Sequence, residues 1–165
     1  MFFPRSLHPL RYNDPMKFIA DAMLGSLARR LRLLGFDVLY DPQREDNEII
    51  RVSLEEDRVI LTRDTRLASR PIASKCILIM HDRVPDQVLQ VMQRTGETPS
   101  GGELTRCSRC NHPLRPAEKE QVRDLVPAHV YAIQKRFYYC EGCGKVYWRG
   151  SHVLRMVRQR HTRDR

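Results

Sequence analysis

The stretch MKFIADAMLGSLARRLRLLGFDVLY, residues 16–40, decides the fold, because it has the pattern of a strand, a helix and a second strand in succession. MKFIAD has strand character and ends at Asp21, and DVLY is a second apolar strand. Between them, apolar side chains recur at the i, i+3, i+4 spacing of a helix, and Gly35 stands at its predicted end. These apolar positions are Leu24, Leu27, Ala28, Leu31 and Leu34. Two strands joined by such a crossover helix are expected to be parallel.

The alternation of strands and helices continues to residue 96. DNEIIRVSLEED is a predicted helix, with Asp46 or Asn47 at the position of an N-cap. It is followed by the strand RVILT, the short helical segment TRLAS, the strand CILIM and the helix VPDQVLQVMQRTG. VIL and CILIM are apolar without a break, as is typical of parallel strands covered on both faces. Residues 16–96 are therefore predicted to form a three-layer α/β/α domain with a parallel sheet.

The rest of the 165-residue chain divides by composition. GETPSGGELTR is rich in Gly, Pro, Ser and Thr, so residues 97–106 are predicted to be a linker. Residues 107–152 carry two cysteine pairs, and residues 153–165 are a basic tail or helix. Residues 1–15 lack the apolar segment of a signal peptide and are predicted to be a disordered extension. No apolar run reaches the roughly 18 residues of a membrane span, so we expect a cytoplasmic protein without membrane contact.

The net charge favours a nucleic-acid partner. The chain has a formal charge of +9 at pH 7, carried by 24 Arg and 5 Lys. Arginine binds phosphate in a bidentate manner and stacks on bases. The excess of arginine is therefore better explained by a nucleic-acid partner such as RNA than by solubility alone. Net charge affects non-specific association and does not identify the fold or the reaction.

Carboxylates follow the predicted strands at one edge of the sheet. Asp21 follows the first strand, Asp64 follows RVILTR, and Asp46 begins the helix after the second strand. Ligands of parallel sheets bind beyond the carboxyl ends of the strands, and clustered carboxylates repel one another unless a cation lies among them. Mg²⁺ or Mn²⁺ would suit such oxygen ligands. The alternative is that Asp46 and Asp64 only cap helices, whereas Asp21 is harder to explain as a cap because Ala22-Met23-Leu24 is not a turn sequence.

Two CxxC units, CSRC and CEGC, predict a structural zinc site. Their cysteines are Cys107, Cys110, Cys140 and Cys143, with 29 residues between the two units. Four thiolates complete a tetrahedral zinc site, and the intervening residues would form a ribbon hairpin with an extended loop. The glycine after Cys143 suits a tight knuckle turn. Disulfides or a thioredoxin-type redox pair are the alternatives, but we expect no secretion signal from residues 1–15, and Cys76 stands unpaired in a predicted strand.

Basic and aromatic side chains alternate around these cysteines and suggest a platform for single-stranded RNA. The aromatic side chains lie between Phe137 and Trp148, and half or more of them are expected to form the core of the ribbon itself. The predicted RNA-binding residues are Arg106, Arg109, Lys135, Arg136, Lys145 and Arg149.

These segments together resemble a known family. FIADAMLGSLARRLRLLGFDVLY, EDNEIIRVSLEEDRVILTRD, the two CxxC units and VYWRGSH, in this order, are similar to the Mut-seven C-terminal RNase domain family, which consists of PIN-fold nucleases with a C-terminal zinc ribbon. The resemblance covers nearly everything from residue 16 to residue 152. It implies a PIN-like, metal-dependent ribonuclease and carries the catalytic positions onto Asp21, Asp46 and Asp64, with Thr62 beside the last. The nearest candidate for a fourth acidic residue is Asp82.

Two other classes of function remain open. A non-catalytic RNA- or ribosome-binding zinc-ribbon protein would keep every basic residue and the zinc site, and would use the aspartates as helix caps. Phosphoryl transfer at an aspartate is disfavoured, because CILIM is not followed by the lysine that receiver-like domains use and the first strand is not followed by the DxDxT motif of a phosphatase. The leading hypothesis is a ribonuclease whose α/β domain cleaves RNA and whose zinc ribbon helps to bind it. The class of RNA and any protein partner are open.

Overall fold

The structure is a computed structural model that describes residues 16–73, 75–98 and 104–150. The predicted N-terminal extension and basic C-terminal tail lie outside these residues, and of the predicted linker only the two ends lie within them. No helix in the described part of the chain has both the length and the apolar character needed to cross a bilayer.

A four-stranded parallel sheet forms the centre of the first domain. Its strands are β1 (Lys17–Ala20), β2 (Asp37–Tyr40), β3 (Arg58–Thr62) and β4 (Cys76–Leu78), in the spatial order β2-β1-β3-β4. In the observed register, Phe18 of β1 lies opposite Val38 of β2 and Val59 of β3. The chain moves outward from β1 to β2 and then returns to the other side of β1, so the strand order reverses between β1 and β3. Ligand sites of open α/β sheets lie at such a switch point.

Helices cover both faces of this sheet. A 3₁₀ helix precedes α1; the helical segments are Ala22–Leu24, α1 (Gly25–Leu33), α2 (Asp46–Glu56), α3 (Thr65–Ala68) and α4 (Val84–Thr95). Phe18 points to the face covered by α1 and α4, and Ile19 points to the face covered by α2 and α3. Because side chains alternate along a strand, the two cores lie on opposite faces. The predicted three-layer α/β/α architecture is confirmed.

Two local predictions for this domain are wrong. Strand β4 ends at Leu78 instead of residue 80, because the Gln90 side chain of α4 donates to the Leu78 carbonyl (2.8 Å) and accepts from the Met80 N–H (3.0 Å). The N-cap position of α2 is Glu45, which makes no side-chain capping bond, and Asp46 is the first helical residue. A carboxylate in the first helical turn is still favourable, because the N-terminus of a helix carries partial positive charge.

The C-terminal part forms a small antiparallel sheet with its own core. Strands β5 (Arg115–Ala117), β6 (Phe137–Tyr139) and β7 (Val146–Trp148) lie in the order β5-β6-β7. The extended loop expected between the cysteine pairs instead contains a 3₁₀ helix, Lys119–Leu125, and a short helix, α5 (Ala128–Ile133). The core that these helices share with the sheet consists of Val122, Val126, Val130, Phe137 and Val146. The missed signal was a capping box at Glu118 and Gln121.

The cysteine-bearing segment docks on the amino edge of the parallel sheet. The Leu104 N–H donates to the Leu33 carbonyl at the end of α1 (3.1 Å), and the Leu104 side chain is buried. Arg32 donates to the carbonyls of Ser108 (3.2 Å) and Arg109 (2.9 Å). The end of α1 lies where β2 begins, so the first CxxC unit lies at the opposite edge of the sheet from Asp21.

Candidate functional site

Asp21 occupies a buried position at the end of β1, with only 6% of its surface exposed. Its Oδ1 accepts a hydrogen bond from the Met23 N–H (2.9 Å), so it caps the 3₁₀ helix that follows. Its Oδ2 accepts from the Arg63 N–H (2.9 Å) and from the Thr62 hydroxyl. Three donors, one in the 3₁₀ helix after β1 and two at the end of β3, therefore fix the orientation of this carboxylate.

Thr62 connects Asp21 to Asp64. The fully buried Thr62 hydroxyl donates to Asp21 and accepts from the Asp64 N–H (2.9 Å). The Asp64 Oδ1 accepts from the Arg66 N–H (2.7 Å) and caps α3. We call Asp21, Thr62 and Asp64 the switch-point corner, because they lie where β1 and β3 end and the strand order reverses.

The other predicted acidic residues lie beside arginines. Asp46 forms an ion pair with Arg70 (3.8 Å). Asp82, an exposed residue, forms an ion pair with Arg63 (2.6 Å). Within the described ranges, the four cysteines are the one group of three or more Asp, Glu, His or Cys residues whose ligand atoms lie close enough to hold one ion, and no such group of carboxylates is present. The clustering of all three aspartates around a single ion therefore stays a prediction.

The switch-point corner nevertheless offers donors of the kind that magnesium uses. Mg²⁺ binds oxygen, keeps several waters, and is commonly held by one or two carboxylates together with substrate phosphate. Two carboxylate residues, Asp21 and Asp64, lie here, and the Thr62 hydroxyl joins the Asp21 carboxylate to the backbone N–H of Asp64.

The four predicted zinc ligands lie close together. Their Sγ atoms are all within 4.8 Å of one another, with 3.5 Å between Cys107 and Cys143 and 3.4 Å between Cys110 and Cys140. A disulfide needs about 2.05 Å, and all five cysteines of the chain are free thiols. Tetrahedral coordination at about 2.3 Å per zinc–sulfur bond gives sulfur separations in this range. The cluster can therefore hold a metal such as zinc.

The two CxxC units have the same backbone geometry. The Asn111 N–H donates to the Cys107 carbonyl (2.9 Å), and the Gly144 N–H donates to the Cys140 carbonyl (2.8 Å). Both Asn111 (φ 67°) and Gly144 (φ 72°) have the left-handed backbone conformation. The glycine was predicted from the sequence and Asn111 was not, although asparagine is the other residue that tolerates this conformation.

Two cysteines of the cluster have pKa values shifted in opposite directions. Burial opposes ionisation of Cys107, but hydrogen bonds from Tyr147 and from the backbone N–H groups of Cys110 and Arg109 outweigh it and lower its pKa to about 6. Burial, together with the neighbouring Cys110, raises the pKa of Cys140 to about 12. A divalent cation would remove this mutual opposition, because it binds thiolates.

The fifth cysteine has no place in this cluster. Cys76 lies in β4, where burial, with a smaller contribution from the negative charge of Asp21, raises its pKa to about 11. It is therefore a thiol at neutral pH and a poor nucleophile.

The predicted RNA-binding residues differ in exposure. Arg106 is a structural residue, because it forms an ion pair with Asp37 (3.3 Å) and donates to the Asn111 carbonyl (2.9 Å). The others are exposed: Arg109, Lys135, Arg136, Lys145 and Arg149. The nearby aromatic side chains pack in or against the two cores of the ribbon, which leaves only partial faces for bases.

Asp37 is the main residue whose role was not predicted from the sequence. It accepts hydrogen bonds from Arg58 (2.8 Å) and Asn111 (2.8 Å) and forms the ion pair with Arg106. Burial alone would raise its pKa, but the hydrogen bonds from Arg58 and Asn111 and the charges of Arg58 and Arg106 outweigh that effect and lower it. Asn111 also accepts from the Val38 N–H (3.2 Å). Asp37 therefore joins β2, β3 and the first CxxC unit.

Comparison with known proteins gives one match. A family model described as the Mut7-C RNAse domain matches residues 16–160. No curated protein and no solved structure shows significant similarity to the chain.

Proposed function

Because the chain belongs to the Mut7-C RNAse domain family, we propose that it is a metal-dependent ribonuclease that hydrolyses RNA phosphodiester bonds at the switch-point corner. The observation that supports this site is the direct connection of Asp21, Thr62 and Asp64 at the point where the strand order reverses. A ligand-binding crevice is expected at this point of a parallel sheet.

The residues of the corner have distinct roles in this proposal. Asp21 and Asp64 bind a Mg²⁺ or Mn²⁺ ion, and Asp46 assists them from the first turn of α2. Thr62 is a positioning residue, because its hydroxyl fixes Asp21 and the backbone of Asp64 at once. When bound, the ion supplies charge that offsets the negative charge developing on the phosphate oxygens.

The chemistry predicts the ends of the product. Water attacks phosphorus, the bond from phosphorus to the 3′ oxygen breaks, and the leaving oxygen takes a proton. The products therefore carry a 5′-phosphate and a 3′-hydroxyl. A 2′,3′-cyclic phosphate would contradict this mechanism, because it forms when the neighbouring 2′ oxygen attacks.

The zinc ribbon has a structural role in this proposal. Zinc held by Cys107, Cys110, Cys140 and Cys143 fixes both CxxC turns, and four thiolates leave no open position for catalysis. Because the first turn docks on Arg32 and Asp37, the metal also holds the ribbon against the nuclease domain. The exposed basic residues of the ribbon then assist RNA binding.

The experiment is cleavage of end-labelled single-stranded RNA with Mg²⁺ or Mn²⁺, comparing the wild type with Asp64→Asn. We expect cleavage that requires the ion and that the substitution abolishes. Asp57→Asn is the matched control, because Asp57 is an exposed carboxylate at the other edge of the sheet, paired with Lys75. Equal cleavage by all three proteins would place the active site elsewhere.

One observation favours a non-catalytic RNA-binding protein instead. Asp21 and Asp64 both accept backbone hydrogen bonds as caps, and Asp46 has an arginine partner, so each has a structural role without a metal. Absence of cleavage on varied RNAs with either ion, while RNA binding persists, would support this alternative.

A further inference from the structure

A groove of about 420 Å³ lies along α1, between the start of α4 and the first CxxC unit. One side of α1 lines it with residues spaced as on a single helix face: Ser26, Arg29, Arg30 and Leu33. Val84 at the start of α4 and Ser108 of the CSRC motif complete its walls. A volume of this size is within the range of pockets that hold small molecules or parts of polymers.

The groove runs along α1 from its first turn to the first CxxC unit. Ser26 lies in the first turn of α1, five residues after Asp21, and therefore near the carboxyl edge of the sheet. Leu33 ends α1 at the amino edge, where Ser108 docks. A helix rises 1.5 Å per residue, so these two ends of the groove are about 10 Å apart along α1.

The walls of the groove have the chemistry of a nucleotide site. Arg29 is exposed, and it and Arg30 place guanidinium groups along the groove. Leu33 and Val84 supply apolar surface between the charged residues. Guanidinium groups bind phosphate, and apolar surface accepts an unstacked base, so both parts of a nucleotide have a partner.

We propose that single-stranded RNA binds in this groove, with a backbone phosphate on Arg29, and runs from the switch-point corner to the first CxxC unit. The strand is single because only an unpaired base can reach the apolar wall. The inference rests on the proposed function, since it gives the route that the substrate of that site takes to the ribbon. It also explains how a ribbon docked at the far edge of the sheet assists cleavage.

The test measures RNA binding without cleavage. A fluorescent single-stranded oligonucleotide is titrated with wild type, Arg29→Ala and Arg51→Ala by anisotropy, in buffer without Mg²⁺ or Mn²⁺ and without a chelator. Arg51 is the matched control, because it is an exposed helical arginine on α2, on the other face of the sheet. Thermal unfolding of each protein checks that it is folded.

We expect Arg29→Ala to weaken binding about fourfold at 0.15 M salt and to reduce the salt slope by about 0.7, as the loss of one phosphate contact on a single strand predicts. Arg51→Ala should leave both quantities close to wild type. Ultraviolet cross-linking of a 4-thiouridine oligonucleotide should label a peptide that contains residues of α1. Equal losses in both variants, or cross-links confined to the exposed basic residues of the ribbon, would overturn the inference.

The binding experiment and the cleavage assay can contradict their two proposals independently. If RNA is cleaved but Arg29→Ala binds like wild type, the route is wrong and the proposed ribonuclease stands. If Arg29→Ala weakens binding and labels are found on α1, but no RNA is cleaved, the groove stands and the proposed activity fails.

Discussion

At the scale of single residues, a substitution at Asp64 should change the cleavage rate strongly and the free energy of unfolding little. Its side chain makes one capping hydrogen bond, in which Oδ1 accepts from the Arg66 N–H. Asparagine caps helices as well as aspartate does. Asp64→Asn should therefore leave the free energy of unfolding within a few tenths of a kcal/mol. The cleavage rate should fall by at least about 100-fold, because even outer partners of a bound metal are worth 10- to 100-fold. Urea unfolding and initial cleavage rates measure the two effects.

Asp21→Asn is a less selective change. The Asp21 carboxylate accepts from donors on both oxygens, so an amide would place its own NH₂ against either the Met23 N–H or the donors at Thr62 and Arg63. Loss of activity in this variant would not distinguish a missing metal ligand from a disturbed corner. Aspartate at this position is explained by two roles, a cap and an anchor for the end of β3.

Thr62→Val should destabilise the protein although it nearly preserves the shape of the side chain. The hydroxyl is fully buried, and its removal leaves the Asp64 N–H without its acceptor and takes one of two donors away from Asp21 Oδ2. A buried polar group without a partner costs about 1–3 kcal/mol, which urea unfolding should detect. Thr62→Ser, which keeps the hydroxyl, is the control for the bond. Equal stability of Thr62→Val and wild type would contradict a stabilising role for the hydroxyl.

At the scale of the CxxC turn, substitutions of Asn111 test whether the turn requires its left-handed backbone conformation. Asn111→Gly keeps the left-handed backbone but loses the bonds to Val38 and Asp37, whereas Asn111→Ala loses the bonds and also strains the backbone. The strain of a left-handed alanine is about 1–2 kcal/mol, so we expect the alanine variant to be less stable than the glycine variant by that amount. Chemical unfolding with zinc in excess gives the difference. The opposite order would mean that the turn is not under conformational constraint.

The contact between β2 and the ribbon should depend on pH through Asp37. The lowered pKa of Asp37 in the folded protein means that its ionised form stabilises the fold. This stabilisation is present above its ordinary value of 3.8 and is lost as the pH falls through the lower folded value. Asp37→Asn should therefore be less stable than wild type at pH 7, and the difference should shrink below about pH 4. Thermal unfolding against pH measures this, and a difference independent of pH would contradict the assignment.

Zinc should act on the whole molecule, because the metal site and the sheet share contacts. Its removal by a strong chelator frees the two CxxC turns, and the ribbon core is too small to remain folded alone. We expect limited proteolysis to cut within residues 104–150 while residues 16–96 survive as a fragment. That fragment should unfold at a lower temperature than in the intact protein, since Arg32 and Asp37 lose their partners. An unchanged proteolytic pattern after chelation would show that the ribbon folds without metal.

The parts of the fold that could be predicted from the sequence are those whose residues show a local pattern, such as helical spacing or a stop signal. The helices and strands of residues 16–96 follow periodicity and stop signals, and two of those stops, Gly35 and Gly96, have the positive φ expected of them. The misses have physical reasons: Gln90 ends β4 early, and the 3₁₀ helix and α5 pack on a core that no sequence period revealed. At the candidate site, the edge of the sheet was predicted for Asp21, Asp46 and Asp64, and of their partners only the helix cap made by Asp64 was anticipated.

The sequence by itself determined the layered α/β domain and the cysteine cluster, because alternation, helical spacing and CxxC units are properties of neighbouring residues. Only the tertiary structure decided that Thr62 joins Asp21 to Asp64, that Arg70 lies beside Asp46, and that the ribbon docks at the amino edge. These are contacts between residues far apart in the chain; the bond from Arg32 to Arg109 spans 77 positions. No local pattern encodes such a pairing, since it depends on how two separately formed surfaces meet.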